Sequence, residues 1–166
     1  MAFPSAATSQ ISPVGAGEVF GQIGVISSYT IFEEGIEAGK FVKFNSDTGG
    51  IEKVNGESGA IIAGVAKRNV TDAVENYGVF TRELTSKVDV VESGIVTVEV
   101  VAGINPKKFD KVYVYNNTDV ATDEWGKATN HSSDLASDGT TEVENIPIDG
   151  YFYKKISDNV WAIRIK

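Results

Sequence analysis

Apolar and polar positions along this chain alternate with a period of two far more often than they recur at helical spacing. In "KVDVVESGIVTVEVV", residues 87 to 101, Val88 and Val90 alternate with Lys87 and Asp89, and Glu92-Ser93-Gly94 supplies a turn. Beyond it Val96, Val98 and Val100 point one way and Ile95, Thr97 and Glu99 the other, as a half-buried strand requires. The stretch predicts a β-hairpin. Between Ile36 and Lys67, "AGKFVKFN", "IEKV" and "AIIAGVAKR" read as strands separated by the turns "SDTGG" and "NGESG". Together they predict a three-stranded meander. "DKVYVYNN" (Asp110 to Asn117) is a further strand, and "IDGYFYKKI" and "NVWAIRIK" form a closing pair around Ser157-Asp158-Asn159. Residues 70 to 83 read as a connector in which Thr71 caps a short helical turn ended by Gly78. Residues 118 to 144 are rich in Asp, Ser and Thr and read as a polar surface loop outside the core.

The expected fold is therefore mainly β: a single antiparallel β-barrel or sandwich over residues 27–166, carrying a long polar loop at 118–144 and preceded by an extended N-terminal arm over 1–26. A length of 166 residues, 42% hydrophobic and 23% charged, suits one domain with a sizeable core. The net charge of −8 and the scatter of fifteen basic residues argue against binding a nucleic-acid backbone or an anionic membrane. The absence of cysteine removes disulfides, thiolate metal sites and cysteine nucleophiles at once. No run approaches the roughly 20 apolar residues of a membrane-spanning helix, and the first residues lack the pattern of a signal peptide, so synthesis in the cytoplasm is expected.

Candidate chemistry is sparse. "GAGEVFG" (Gly15, Gly17, Gly21) has the glycines of a dinucleotide loop but the wrong spacing, with β-like residues after it, so no cofactor is expected. The single histidine, His131, sits near Asp134 and reads as an exposed loop residue, since no nucleophile motif accompanies it. Asp119, Asp123, Glu124, Asp134 and Asp138 are hard oxygen donors, but their spacing is not that of a calcium loop, and no metal is expected. Lys107, Lys108 and Lys111 form one basic patch; Lys154, Lys155, Arg164 and Lys166 form another. Both read as lysines flanking strands, able to face an acidic partner. Tyr113, Tyr115, Trp125, Tyr151, Phe152, Tyr153 and Trp161 read as core or sheet residues, the competing use being a platform for sugars.

The leading segment is different. Across residues 1 to 32 the only charged side chain is Glu18. Phe3, Pro4, Ile11, Pro13, Val14, Val19, Phe20 and Ile23 are spread among small residues with neither helical nor strict strand period. Such a segment is too poor in apolar residues to build a core and too poor in charge for an ordinary solvated tail. Two readings compete: an arm whose hydrophobes and backbone engage a partner, against a flexible terminus or an intramolecular edge strand.

The order of motifs resembles the structural cement, or head-decoration, proteins of tailed bacteriophages. The resemblance rests on a small-residue N-terminal arm; on Ile36, Ala38, Gly39, Phe41 and Val42; on Ile51, Gly59, Ile61, Ile62, Gly64, Val65 and Ala66; and on "SGIVTVEV" followed by "FDKVYV". Phe109 stands where that pattern usually has glycine, and the 118–144 excursion is longer than typical. The resemblance implies a non-enzymatic virion protein, made in the host cytoplasm, that coats the capsid surface and bridges adjacent major capsid protein subunits. It also implies self-association around local symmetry axes, for instance as a trimer. The alternative is a carbohydrate-binding or tail-fibre-type adhesion module, which predicts an exposed, coplanar set drawn from Trp125, Tyr151 and Tyr153.

Overall fold

The computed structural model describes residues 15–31, 36–67, 81–82, 87–117 and 123–166. Strands β1 (Val19–Ile23), β2 (Ile26–Thr30), β3 (Ile36–Glu37), β4 (Phe41–Phe44) and β5 (Ile51–Lys53) are followed by β6 (Ile62–Ala66), β7 (Thr81–Arg82), β8 (Lys87–Val91), β9 (Gly94–Glu99) and β10 (Lys111–Val114). The last five are β11 (Ala128–Thr129), β12 (Ser133–Leu135), β13 (Glu142–Glu144), β14 (Ile146–Ser157) and β15 (Val160–Ile165). A six-stranded sheet in the order β1-β9-β15-β14-β10-β11 accompanies a five-stranded sheet in the order β2-β8-β6-β4-β5. The paired strands of both are antiparallel, with isolated parallel bridges at Ile31↔Ile51 and Val100↔Ala128, and β3-β7 and β12-β13 form two small ribbons. Beyond these single bridges the edges do not pair, so neither sheet is a closed barrel. Of the two expected architectures, the molecule is the sandwich.

The main core lies between the sheets. Phe41, Val65 and Val91 from the five-stranded sheet meet Val96, Val98, Val112, Val114, Phe152, Trp161 and Ile163 from the six-stranded one. Each is an inward position of its strand, and burying one such aliphatic side chain stabilises by about 1.5–3 kcal/mol. Phe152 and Trp161 meet edge to face at 5.5 Å. A second cluster, with Ile31, Ile36, Val42, Ile51, Ala66, Val88 and Val90, lies on the other face of the five-stranded sheet. Val90 and Val91 are neighbours in sequence, both fully buried, and belong to different clusters. That sheet is therefore apolar on both sides.

This arrangement corrects the hairpin expected at 87–101. Strands β8 and β9 do not pair: β8 joins β2 and β6, while β9 joins β1 and β15. The chain changes sheets at Glu92-Ser93, and β1 and β2 change sheets beside it at Gly24-Val25. The result is a bent two-stranded ribbon that seams the sandwich along one side. At its corner the Val25 amide donates to Ser93 Oγ at 3.0 Å and the Glu92 amide to the Val25 carbonyl at 2.9 Å. A Cβ on Gly24 would lie 1.9 Å from the Ser93 carbonyl oxygen, so only glycine lets the two backbones cross here. Alternation identified the strands correctly. It carried no information on which sheet each one entered.

The meander is corrected in the same way. Strand β4 lies between β5 and β6, so β5 is the edge of the sheet and β6 pairs on the far side of β4 rather than with β5. The closing pair forms as expected, with β14 and β15 paired from Gly150↔Ile165 to Ser157↔Val160 and the register shifting between Phe152 and Lys154 and between Lys155 and Ser157. The described part of 118–144 is more structured than a surface loop. Ala128 is fully buried in the main core, on a strand paired with β10, and β12 and β13 pair with each other as a separate ribbon. The helical turn expected after Thr71 lies outside the described residues.

Candidate functional site

The N-terminal segment is built onto the body from Gly15. Gly17 donates its amide to the Thr97 carbonyl at 2.6 Å, and Thr97 returns its own amide to the Glu18 carbonyl at 2.8 Å. The Glu18 amide then donates to Thr97 Oγ1 at 2.8 Å, and that hydroxyl donates to the Gly15 carbonyl at 2.9 Å. Thr97 has no exposed surface although it points away from the core, because residues 15–18 turn over it. On the other side Gly39 approaches so closely that a Cβ there would fall 2.1 Å from Ala16 Cβ. Gly39 itself links the sheets, donating to the Ala66 carbonyl at 2.8 Å and accepting from the Glu99 amide at 3.0 Å. The segment thus enters the body through a polar clamp at one end of the sandwich.

Beyond the clamp, β1 pairs with β9 through Val19↔Val96 and Ile23↔Gly94, forming one edge of the six-stranded sheet. Val19 packs against the main core, so its burial comes from its own subunit. Phe20 and Ile23 lie on the same strand. The chain therefore joins the body well before residue 26, and the described residues of the leading segment follow the edge-strand reading. Phe3, Pro4, Ile11, Pro13 and Val14 lie outside the described residues.

The remaining candidates are dispersed, each with a local structural partner. Gly15 and Gly17 belong to the clamp and Gly21 to β1, so a strand rather than a helix follows the glycine motif. The His131 ring lies 3.5 Å from Asp134, half exposed, while Asp134 accepts from Asn145 Nδ2 at 2.6 Å. Glu124 pairs with Lys127 at 2.8 Å and accepts the Ala102 amide at 3.0 Å. Burial alone would raise the Glu124 pKa, but these contacts outweigh it and hold the carboxyl below its ordinary range. Asp123 presents its carbonyl to Lys40 at 2.9 Å. Asp138 caps its own turn, accepting from the Thr140 and Thr141 amides, each at 2.8 Å. Asp119 lies outside the described residues, and among those described no three acidic or histidine side chains converge as metal ligands would.

One surface does gather side chains that the sequence left in separate groups. On the outer face of the six-stranded sheet, Tyr151 stands beside Lys111 and Arg164 in register, opposite in direction to buried Phe152. Phe109, just before β10, is 66% exposed and lies 5.5 Å from Tyr151 between ring centres. Lys108 Nζ sits 4.9 Å from the Phe109 ring and 5.5 Å from Tyr153, and Lys111 Nζ 5.2 Å from Tyr113. Trp125 is half buried, its indole N–H donating to the Asn117 carbonyl at 2.7 Å. Composition hid this face, because the sheet brings residues 108–113, 151–153 and 164 together.

The described residues thus build a two-sheet β domain with a clamped N-terminal segment and an open basic and aromatic face. The comparisons give it a family. Residues 8–166 match the family model of the XM1 gp53 minor capsid protein, and the chain belongs to that family. A solved chain from the capsid of Myoviridae phage XM1 is 33% identical, with a TM-score of 0.73 covering 99% of this chain and 97% of that one. Comparison with curated proteins returned no match. The protein is a structural component of a phage head, associated with the capsid.

Proposed function

We propose that this chain is a non-enzymatic decoration, or cement, protein that binds the outside of the assembled shell, bridges adjacent major capsid protein subunits and self-associates there. The observation that carries this reading is the clamp at Thr97 and Gly39. It holds Gly15 to Glu18 against the body, an ordered base from which an uncharged segment bearing Phe3, Pro4, Ile11, Pro13 and Val14 would reach a neighbouring polypeptide. An anchored, charge-poor segment suits strand addition or pocket filling on a neighbouring polypeptide, and a base that is already ordered lowers the entropic cost of docking. Many copies on a repeating lattice would each add a modest interface across subunit joints, and repetition multiplies their effect on the shell.

Deleting residues 2–14 tests it. The truncated protein should keep its thermal midpoint, because its clamp and β1 remain, and should no longer co-sediment with shells lacking this protein. Full retention by the shells would remove the arm from the mechanism.

A further inference from the structure

Two exposed surfaces of this molecule carry opposite charge around an exposed apolar side chain. The first is the face around Phe109. Its backbone has φ of 77°, a left-handed conformation that costs a residue with a side chain about 1–2 kcal/mol. A ring kept there, two-thirds exposed and flanked by Lys108 and Lys111, is poorly explained by the stability of a lone subunit. Arg164 extends the positive charge, in a chain whose net charge is −8.

The second surface is the β12–β13 ribbon. Ser133 pairs with Glu144 and Leu135 with Glu142, so these four side chains share one face, while Asp134 and Val143 share the other. Asp134 is tied to Asn145, which turns its own face toward the body. The opposite face offers Leu135, 57% exposed, between the exposed carboxylates of Glu142 and Glu144. Asp138 closes the ribbon's end through the two threonine amides and Thr141 Oγ1. Glu142 and Glu144 are two residues apart on one strand, about 7 Å.

From this complementarity we infer that the β12–β13 ribbon of one copy docks on the Phe109 face of the next, Leu135 against the Phe109 and Tyr151 rings and the two glutamates against Lys108 and Lys111. The contact is head-to-tail, since each copy contributes a different surface, and successive copies close into a ring where the rotation between them allows it. The inference rests on the proposed self-association and specifies its interface.

Sedimentation velocity of the full-length chain tests it. The wild type should associate with rising concentration, less strongly at high salt. Lys108→Glu with Lys111→Glu, or Glu142→Lys with Glu144→Lys, should each weaken association at least about tenfold, and the four together should restore it. Phe109→Gly should weaken association without lowering the thermal midpoint, because glycine accepts the left-handed backbone. A wild type that stays monomeric, charge variants that associate unchanged, or a quadruple variant that is not restored would each overturn the interface. Shell binding by these arm-intact variants is a separate readout: its persistence alongside lost self-association supports the interface and leaves the arm reading standing.

Discussion

Lys43 is 2% exposed, an unusual degree of burial for an ammonium, and it sits between two carboxylates, Glu52 at 2.8 Å and Glu57. Burial by itself would lower its pKa, but the hydrogen bonds it donates to Glu52 and Glu57 outweigh that and raise it above the ordinary lysine range. Burial likewise pushes Glu52 up, yet Lys43 and Asn45 bring it below the ordinary glutamate range. A depressed glutamate contributes stability that is present above its unfolded pKa of about 4.3 and is lost as pH falls through the folded value. The raised lysine contributes below its unfolded value and loses that contribution as pH rises through the folded one. Lys43→Met should therefore cost roughly 2 kcal/mol in urea unfolding at neutral pH, with the gap to wild type shrinking below about pH 4. A gap that stayed constant with pH would mean that Lys43 acts by packing alone.

At the scale of elements, the junction of β1 with β9 decides how the leading segment enters the body. Thr97 serves it with a hydroxyl that accepts from Glu18 and donates to Gly15. Thr97→Val keeps the shape of the side chain and removes both bonds, so it should cost about 1–2 kcal/mol. It should also raise amide exchange at residues 16–18 while β9 and β15 keep their protection. Uniformly faster exchange throughout the six-stranded sheet would show that Thr97 supports the sheet rather than the clamp. The same strand illustrates a limit of pattern reading: Thr97 falls on the polar side of the alternation in "GIVTVEV" and is nonetheless fully buried, because residues distant in sequence cover it.

Across the whole molecule the two ends of the chain carry unequal structural weight. The last strand, β15, lies inside the six-stranded sheet, paired along its length with β9 and β14, and it contributes Trp161 and Ile163 to the main core. Deleting residues 160–166 should leave no cooperative thermal transition, since it splits the sheet and removes core volume worth several kcal/mol. The opposite end should tolerate loss of residues 2–14, as the shell-binding test requires. A C-terminal truncation that still melted cooperatively would place the folding core in the five-stranded sheet.

The sequence by itself determined the secondary structure class and most strand positions, because a period of two is written locally in valines, isoleucines and turn residues. It also carried the family, through the order and spacing of those motifs. Which strands pair was decided only in three dimensions. Val88, Val90 and Val91 look alike in one dimension, yet they are divided between two clusters because the five-stranded sheet is covered on both faces. The bend at Gly24 and Ser93, the burial of Thr97 and Ala128, and the meeting of Phe109 with Tyr151 all depend on residues far apart in the chain. Burial and close approach are properties of the packed molecule, and no local pattern contains them.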